Sequence, residues 1–146
     1  MALTIILALL VSSPGEGTFE LGGILGEPSG ISLKYWLGSH TAFDGAVSWS
    51  LRDDRGDDLY LHGDFLWHDF GIIEDESGDV PLFYGIGGRV ILDEDDTRLG
   101  ARFPVGFSWL LGGAPLDFFV EIAGVIDLVP DMDFDVNGGI GIRYVF

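Results

Sequence analysis

The side chains best suited to chemistry are the histidines of one segment. His62 and His68 bracket Asp64, and imidazole with carboxylate is the usual material of metal sites and proton relays. In an extended chain the three share one face. Six residues of strand, however, separate the imidazoles by about 20 Å, too far for one ion to hold both. His40 falls in a polar turn. A deacylase would need a serine beside a histidine with an orienting acid. The serines on the polar faces, Ser32, Ser48, Ser50 and Ser108, have no histidine near them in the chain. His62 and His68 therefore read as polar fillers of an interior, and no catalytic residue is expected.

Asp131, Asp133 and Asp135 have the Asp-x-Asp-x-Asp spacing that opens a calcium loop. The glycine at the sixth position and the closing glutamate are missing. Other acids, Asp53, Asp54, Asp57, Asp58 and the run 93–96, fall in neighbouring turns. The expectation is a solvated acidic rim, with weak divalent-cation binding at Asp131, Asp133 and Asp135. No cofactor is implied. A net charge of −17 repels a polyanion, so nucleic acid is excluded as a partner.

The elements that position these residues follow from composition. The 146 residues form one domain's length and contain no cysteine, hence no disulfide, thiolate metal site or lipid-acylated cysteine. Mean hydropathy is +0.34 despite the acidity, and no run of about 18 apolar residues exists to form a spanning helix. An apolar, acidic chain with 23 glycines fits strands that alternate between lipid and a polar interior, joined by charged turns. Residues 2–11 form a ten-residue apolar run followed by Ser12, Ser13, Pro14 and Gly15. That is the length of a signal-peptide core, although no Lys or Arg precedes it. Residues 1–17 are expected to be signal peptide and leader, cleaved between Ser13 and Thr18, and residues 18–146 the barrel.

From Thr18 on, apolar residues recur with period two, and turn residues cut the chain into segments 18–26, 29–37, 42–51, 59–70, 81–92, 98–111, 117–128 and 134–146. In each, one parity carries the large apolar side chains. Leu33 and Tyr35 oppose Ser32 and Lys34; Phe103, Val105 and Phe107 oppose Arg102, Gly106 and Ser108. A soluble barrel would turn its apolar face inward. Here the polar face is rich in Gly and Ser, as a narrow interior requires. Phe19, Tyr35, Phe43, Trp67, Tyr84, Trp109, Phe118, Tyr144 and Phe146 all fall near one rim, as an interfacial girdle does. The fold expected is all-β: an eight-stranded antiparallel up-and-down transmembrane β-barrel.

Away from the strand ends, the inward charges are Glu20, Lys34, Asp44, Asp64, Arg89, Arg102, Glu121 and Arg143, four acids and four bases. A balanced set inside an acidic protein implies pairing, because an unpaired buried charge costs several kcal/mol. Arg143 is expected beside Glu20 or Glu121, and Asp64 beside Arg89. Gly87, Gly100 and Gly141 each precede an inward arginine by two residues, which would leave room for the guanidinium.

The final strand, with Gly138, Ile140, Ile142, Tyr144 and Phe146 on its outward face and an aromatic end, resembles the signal read by the outer-membrane barrel assembly machinery. The chain after the leader resembles the small OmpA/OmpX-like barrels. Gly-Ile-Gly-Gly-Arg (85–89), Arg-Phe-Pro-Val-Gly (102–106) and the stretch Phe119-Val-Glu to Asp127 and Pro130 are similar to a largely uncharacterised subgroup of them. The resemblance implies residence in the bacterial outer membrane, with lipid, lipopolysaccharide and the assembly machinery as partners. The expected function is a non-enzymatic integral barrel with a charge-paired, plugged lumen and a structural or surface-interaction role. The alternatives are a narrow ion-conducting pore or, from another class, a lipid-modifying outer-membrane enzyme.

Overall fold

The structure, a computed structural model, describes residues 16–27, 29–49, 59–75, 78–92, 97–129 and 131–146. The expected leader lies outside them, apart from the turn at Glu16 and Gly17. Eight strands follow in order: β1 (Phe19–Glu27), β2 (Ser29–Trp36), β3 (Thr41–Trp49), β4 (Leu59–Asp75), β5 (Gly78–Leu92), β6 (Thr97–Leu111), β7 (Leu116–Val129) and β8 (Asp133–Val145). Each pairs antiparallel with the next, and β8 returns to β1 to close the barrel. Closure satisfies every strand edge.

One boundary differs from expectation. The acidic stretch after Phe70 reads as a loop, yet β4 continues to Asp75 and β5 already begins at Gly78. The ladder shifts register between Asp69 and Ile73 and then resumes with Ile73↔Val80 and Glu74↔Asp79. Charge alone does not break a strand whose backbone still finds a partner.

The outward parity is apolar on all eight strands. Ile31, Val47, Ile86, Val105, Ile122 and Ile140 are each 41–60 % exposed. Aromatic rings touch along one end: Phe43 on Phe65 at 5.2 Å, Phe65 on Trp67 at 4.7 Å, Trp67 on Tyr84 at 6.1 Å, and Trp109 on Phe118 at 6.4 Å. Phe146 joins the belt beside Tyr144 and Phe19. Its backbone N–H donates to the Phe19 carbonyl at 2.8 Å, tying the chain end to β1.

Besides Gly, Ser and charges, the inward parity carries large apolar side chains. Ile24, Leu66, Phe83 and Phe119 form a buried apolar cluster, and Trp36, Ala42 and Leu110 form another, with Phe70 packed against it. The lumen is thus packed by two apolar cores interleaved with charges.

Candidate functional site: the filled lumen

All eight charges expected inside are buried, and Asp117 and Asp127 join them. Both have the inward parity but sit near strand ends, outside the stretch in which burial was expected. The buried charges among the described residues become six acids (Glu20, Asp44, Asp64, Asp117, Glu121, Asp127) and four bases (Lys34, Arg89, Arg102, Arg143). The balance is two negative charges, not zero.

Three arginines organise this interior by one device. Asp64 on β4 faces Gly87 on β5, which faces Arg102 on β6. Arg102 Nε reaches across that glycine to Asp64 Oδ1 at 3.2 Å, while Nη2 donates to Glu121 Oε2 at 3.3 Å. Arg89 on β5 faces Gly100 on β6, which faces Asp127 on β7. Its guanidinium grips Asp127 with two bonds of 3.1 and 2.7 Å, and Nη1 also donates to Asp135 and Asn137. Arg143 on β8 faces Gly22 on β1, which faces Ser32 on β2, and Arg143 Nε donates to Ser32 Oγ at 2.9 Å. Arg143 then extends to Asp44 Oδ2 at 3.2 Å and Asp117 Oδ2 at 3.7 Å, with its guanidinium carbon 3.9 Å over the Phe119 ring.

The expected pairings are therefore wrong in two places. Arg143 does not pair with Glu20 or Glu121, and Asp64 does not pair with Arg89. Register is the reason. Arg143 faces Gly22 and Asp117, whereas Glu20 faces Val145 and Glu121 faces Gly139. Arg89 faces His62, one inward step from Asp64. The glycine spaces are also filled differently from expectation: a Cβ at Gly87 would strike Asp64, one at Gly100 would lie 2.5 Å from Asp127 Oδ1, and one at Gly141 would strike the Phe119 ring. The acid or an aromatic ring takes the room, not the arginine two residues along.

A prediction follows directly. Gly87→Ala should lower refolding stability by about 1–3 kcal/mol, the usual range for overpacking. Gly88→Ala, whose Cβ meets nothing nearer than the Gly100 carbonyl at 3.5 Å, should stay within about 0.5 kcal/mol. Urea titration in detergent measures both.

Lys34 closes the terminal half of the network. Its Nζ lies 2.8 Å from His68 Nε2, 3.9 Å from Asp117 and 4.3 Å from the Trp36 ring centre. His68 Nδ1 sits 3.1 Å from the His40 carbonyl. An ammonium can only donate, so the consistent tautomer accepts from Lys34 at Nε2 and donates from Nδ1 to His40. Trp36 Nε1 donates to Glu20 Oε2 at 2.6 Å.

The sequence candidates for chemistry are dispersed. His68 belongs to Lys34, and no inward serine is hydrogen-bonded to a histidine among the described residues; the Ser39–His40 contact at 2.7 Å is between exposed neighbours in a turn. Asp131, Asp133 and Asp135 do not form a cluster among the described residues. Asp133 and Asp135 each accept the next residue's backbone N–H at 2.9 Å, and Arg89 holds the other Asp135 oxygen. Among the described residues, the acids and histidine that come within 4.8 Å of one another are Asp44, His62 and Asp64. Asp53, Asp54, Asp57, Asp58, Ser50 and 93–96 lie outside the described residues.

Comparison with solved structures matches the N-terminal β-barrel domain of Pseudomonas aeruginosa OprF at a TM-score of 0.67, over 91 % of this chain and 100 % of that one. The fold is that of a small OmpA-like barrel. Identity across the match is 14 %, so the likeness is one of architecture. No protein-family model matches the chain, and neither does any curated protein.

Proposed function

We propose that this OmpA-like barrel is an integral protein of the bacterial outer membrane, non-enzymatic, with a closed lumen and a structural or surface-interaction role. One observation carries the reading: the interior is occupied by arginine–carboxylate pairs and two apolar cores while the outward surface is apolar on every strand. That inversion suits a protein solvated by lipid, where backbone groups must all pair internally. Eight strands leave an interior just wide enough for side chains to fill. The ring belt at the end where β1 begins and β8 finishes suits a headgroup interface.

Residues 1–17 act in this proposal as the export signal and leader. Ile140, Ile142, Tyr144 and Phe146 act as the signal for the assembly machinery. Deleting Phe146 should sharply reduce insertion in cells while the purified chain still refolds in detergent; normal surface levels would contradict the assembly role. Lipid and lipopolysaccharide are the partners, through the apolar belt and the acidic rim.

The embedding is tested with single-cysteine nitroxides at Val47 and Ile122, which should be quenched by lipid-soluble oxygen and shielded from an aqueous nickel chelate. Greater access to the chelate at both would overturn it. Lipid A mass spectra with and without the protein should be identical; a new deacylated or acylated species would establish an enzyme instead.

A further inference from the structure

Asp44 and Asp64 stand directly opposite each other on the inward faces of β3 and β4. Like charges in that position repel, and burial sharpens the cost. Each carboxylate gives one oxygen to an arginine: Asp44 Oδ2 to Arg143 and Asp64 Oδ1 to Arg102. The other two oxygens, Asp44 Oδ1 and Asp64 Oδ2, are buried with no hydrogen-bond partner among the described residues. His62 stands two residues from Asp64 on the same face and opposite Ala46, whose small side chain leaves the imidazole space. Its Nε2 lies 3.8 Å from Asp64 Oδ2.

We propose that Asp44, His62 and Asp64 form a binding site for a divalent transition-metal ion of the zinc type inside the barrel. Carboxylate oxygens and imidazole nitrogen are both zinc donors, and three such ligands leave a fourth tetrahedral position open to water. A tetrahedral ion with bonds of about 2 Å wants donors about 3.3 Å apart. The three groups already lie within 4.8 Å of one another, so small side-chain rotations suffice. The carboxylate–arginine bonds are the outer-shell contacts that hold such ligands in orientation.

Charge agrees. The groups facing the site are Asp44, Asp64 and Glu121 against Arg102 and Arg143; in register Lys34 is opposite Asp44 and Arg89 opposite His62, but Lys34 turns to His68 and Arg89 to Asp127. Across the lumen the described buried charges leave two negative charges in excess, which one divalent ion neutralises. The other close acid pair, Glu20 with Asp117, has Lys34 and Trp36 as neighbours and no free imidazole. His62 is the least buried of the three ligands, its side chain 8 % exposed.

The test uses the whole refolded barrel in detergent, stripped of metal and titrated with Zn2+ by calorimetry. One equivalent per chain is expected. His62→Ala should weaken binding by at least the roughly 10–100-fold typical of disturbing a metal's surroundings, and His40→Ala, in the exposed turn, should not. Should the His62 variant fail to refold, the wild-type Co2+ form decides: one imidazole nitrogen ligand, displaced by Zn2+ and retained in His40→Ala, supports the site. Binding unaffected by loss of His62, or all-oxygen ligation, would mean ions adhering to the acidic rim and overturn it. So would a chain that keeps no metal and instead shows a protonated-carboxyl infrared band that disappears in Asp64→Asn, since Asp44 and Asp64 would then share a proton. Zinc binding in a conducting barrel would overturn the closed-lumen reading alone.

Discussion

Replacing Arg143 by Met is expected to lower refolding stability by about 3–5 kcal/mol, the usual cost of removing one partner from a buried ion pair. Arg143 is 3 % exposed and links β8 to β2, β3 and β7 through Ser32, Asp44 and Asp117. Without it, Asp44 faces Asp64 and Asp117 faces Glu20 with less opposing charge. Asp44→Asn in the same chain should recover part of the loss, with a coupling of about 0.5–3 kcal/mol. The two changes measured singly and together by urea titration give that coupling directly. Strict additivity would mean that Arg143 and Asp44 do not act as a pair.

Phe83→Ala is expected to cost about 3–5 kcal/mol, the range for an aromatic ring removed from a packed core. Phe83 is 2 % exposed and packs with Ile24, Leu66 and Phe119 in the lumen, with its ring 6.0 Å from that of His68. In a water-filled channel the space would simply be wetted, and the loss would be well under that range. The size of the effect therefore reports whether the lumen is a core or a conduit. A loss below about 1 kcal/mol would contradict the packed interior.

Much of the architecture was legible because parity is a local property. Tyr35 and Lys34 point to opposite faces whatever the barrel's stagger, so the inward placement of Lys34, Arg102 and Arg143 could be read from the chain alone. Their partners could not. Whether Arg143 meets Glu20 or Asp117 depends on which residue of β7 and β1 lies opposite it, and that is set by the stagger of the closed sheet. The same lack of register hid the arginine–glycine–acid rows, since Gly87 and Gly100 mean little until Asp64 and Asp127 are seen across them. Phe83, Phe119 and Leu66 have the inward parity, but that they meet as one apolar cluster depends on the same register. His62 was singled out with Asp64 and His68; only the β3–β4 register replaces His68 with Asp44.

The measurement that bears most directly on the closed-lumen account is single-channel recording of the refolded barrel in a planar bilayer. The account predicts no steady open level for the wild-type chain, and the appearance of discrete openings when Arg143→Met and Phe83→Ala are combined, because the charge network and an apolar core are then both breached. A steady wild-type conductance, unchanged in the double variant, would contradict it.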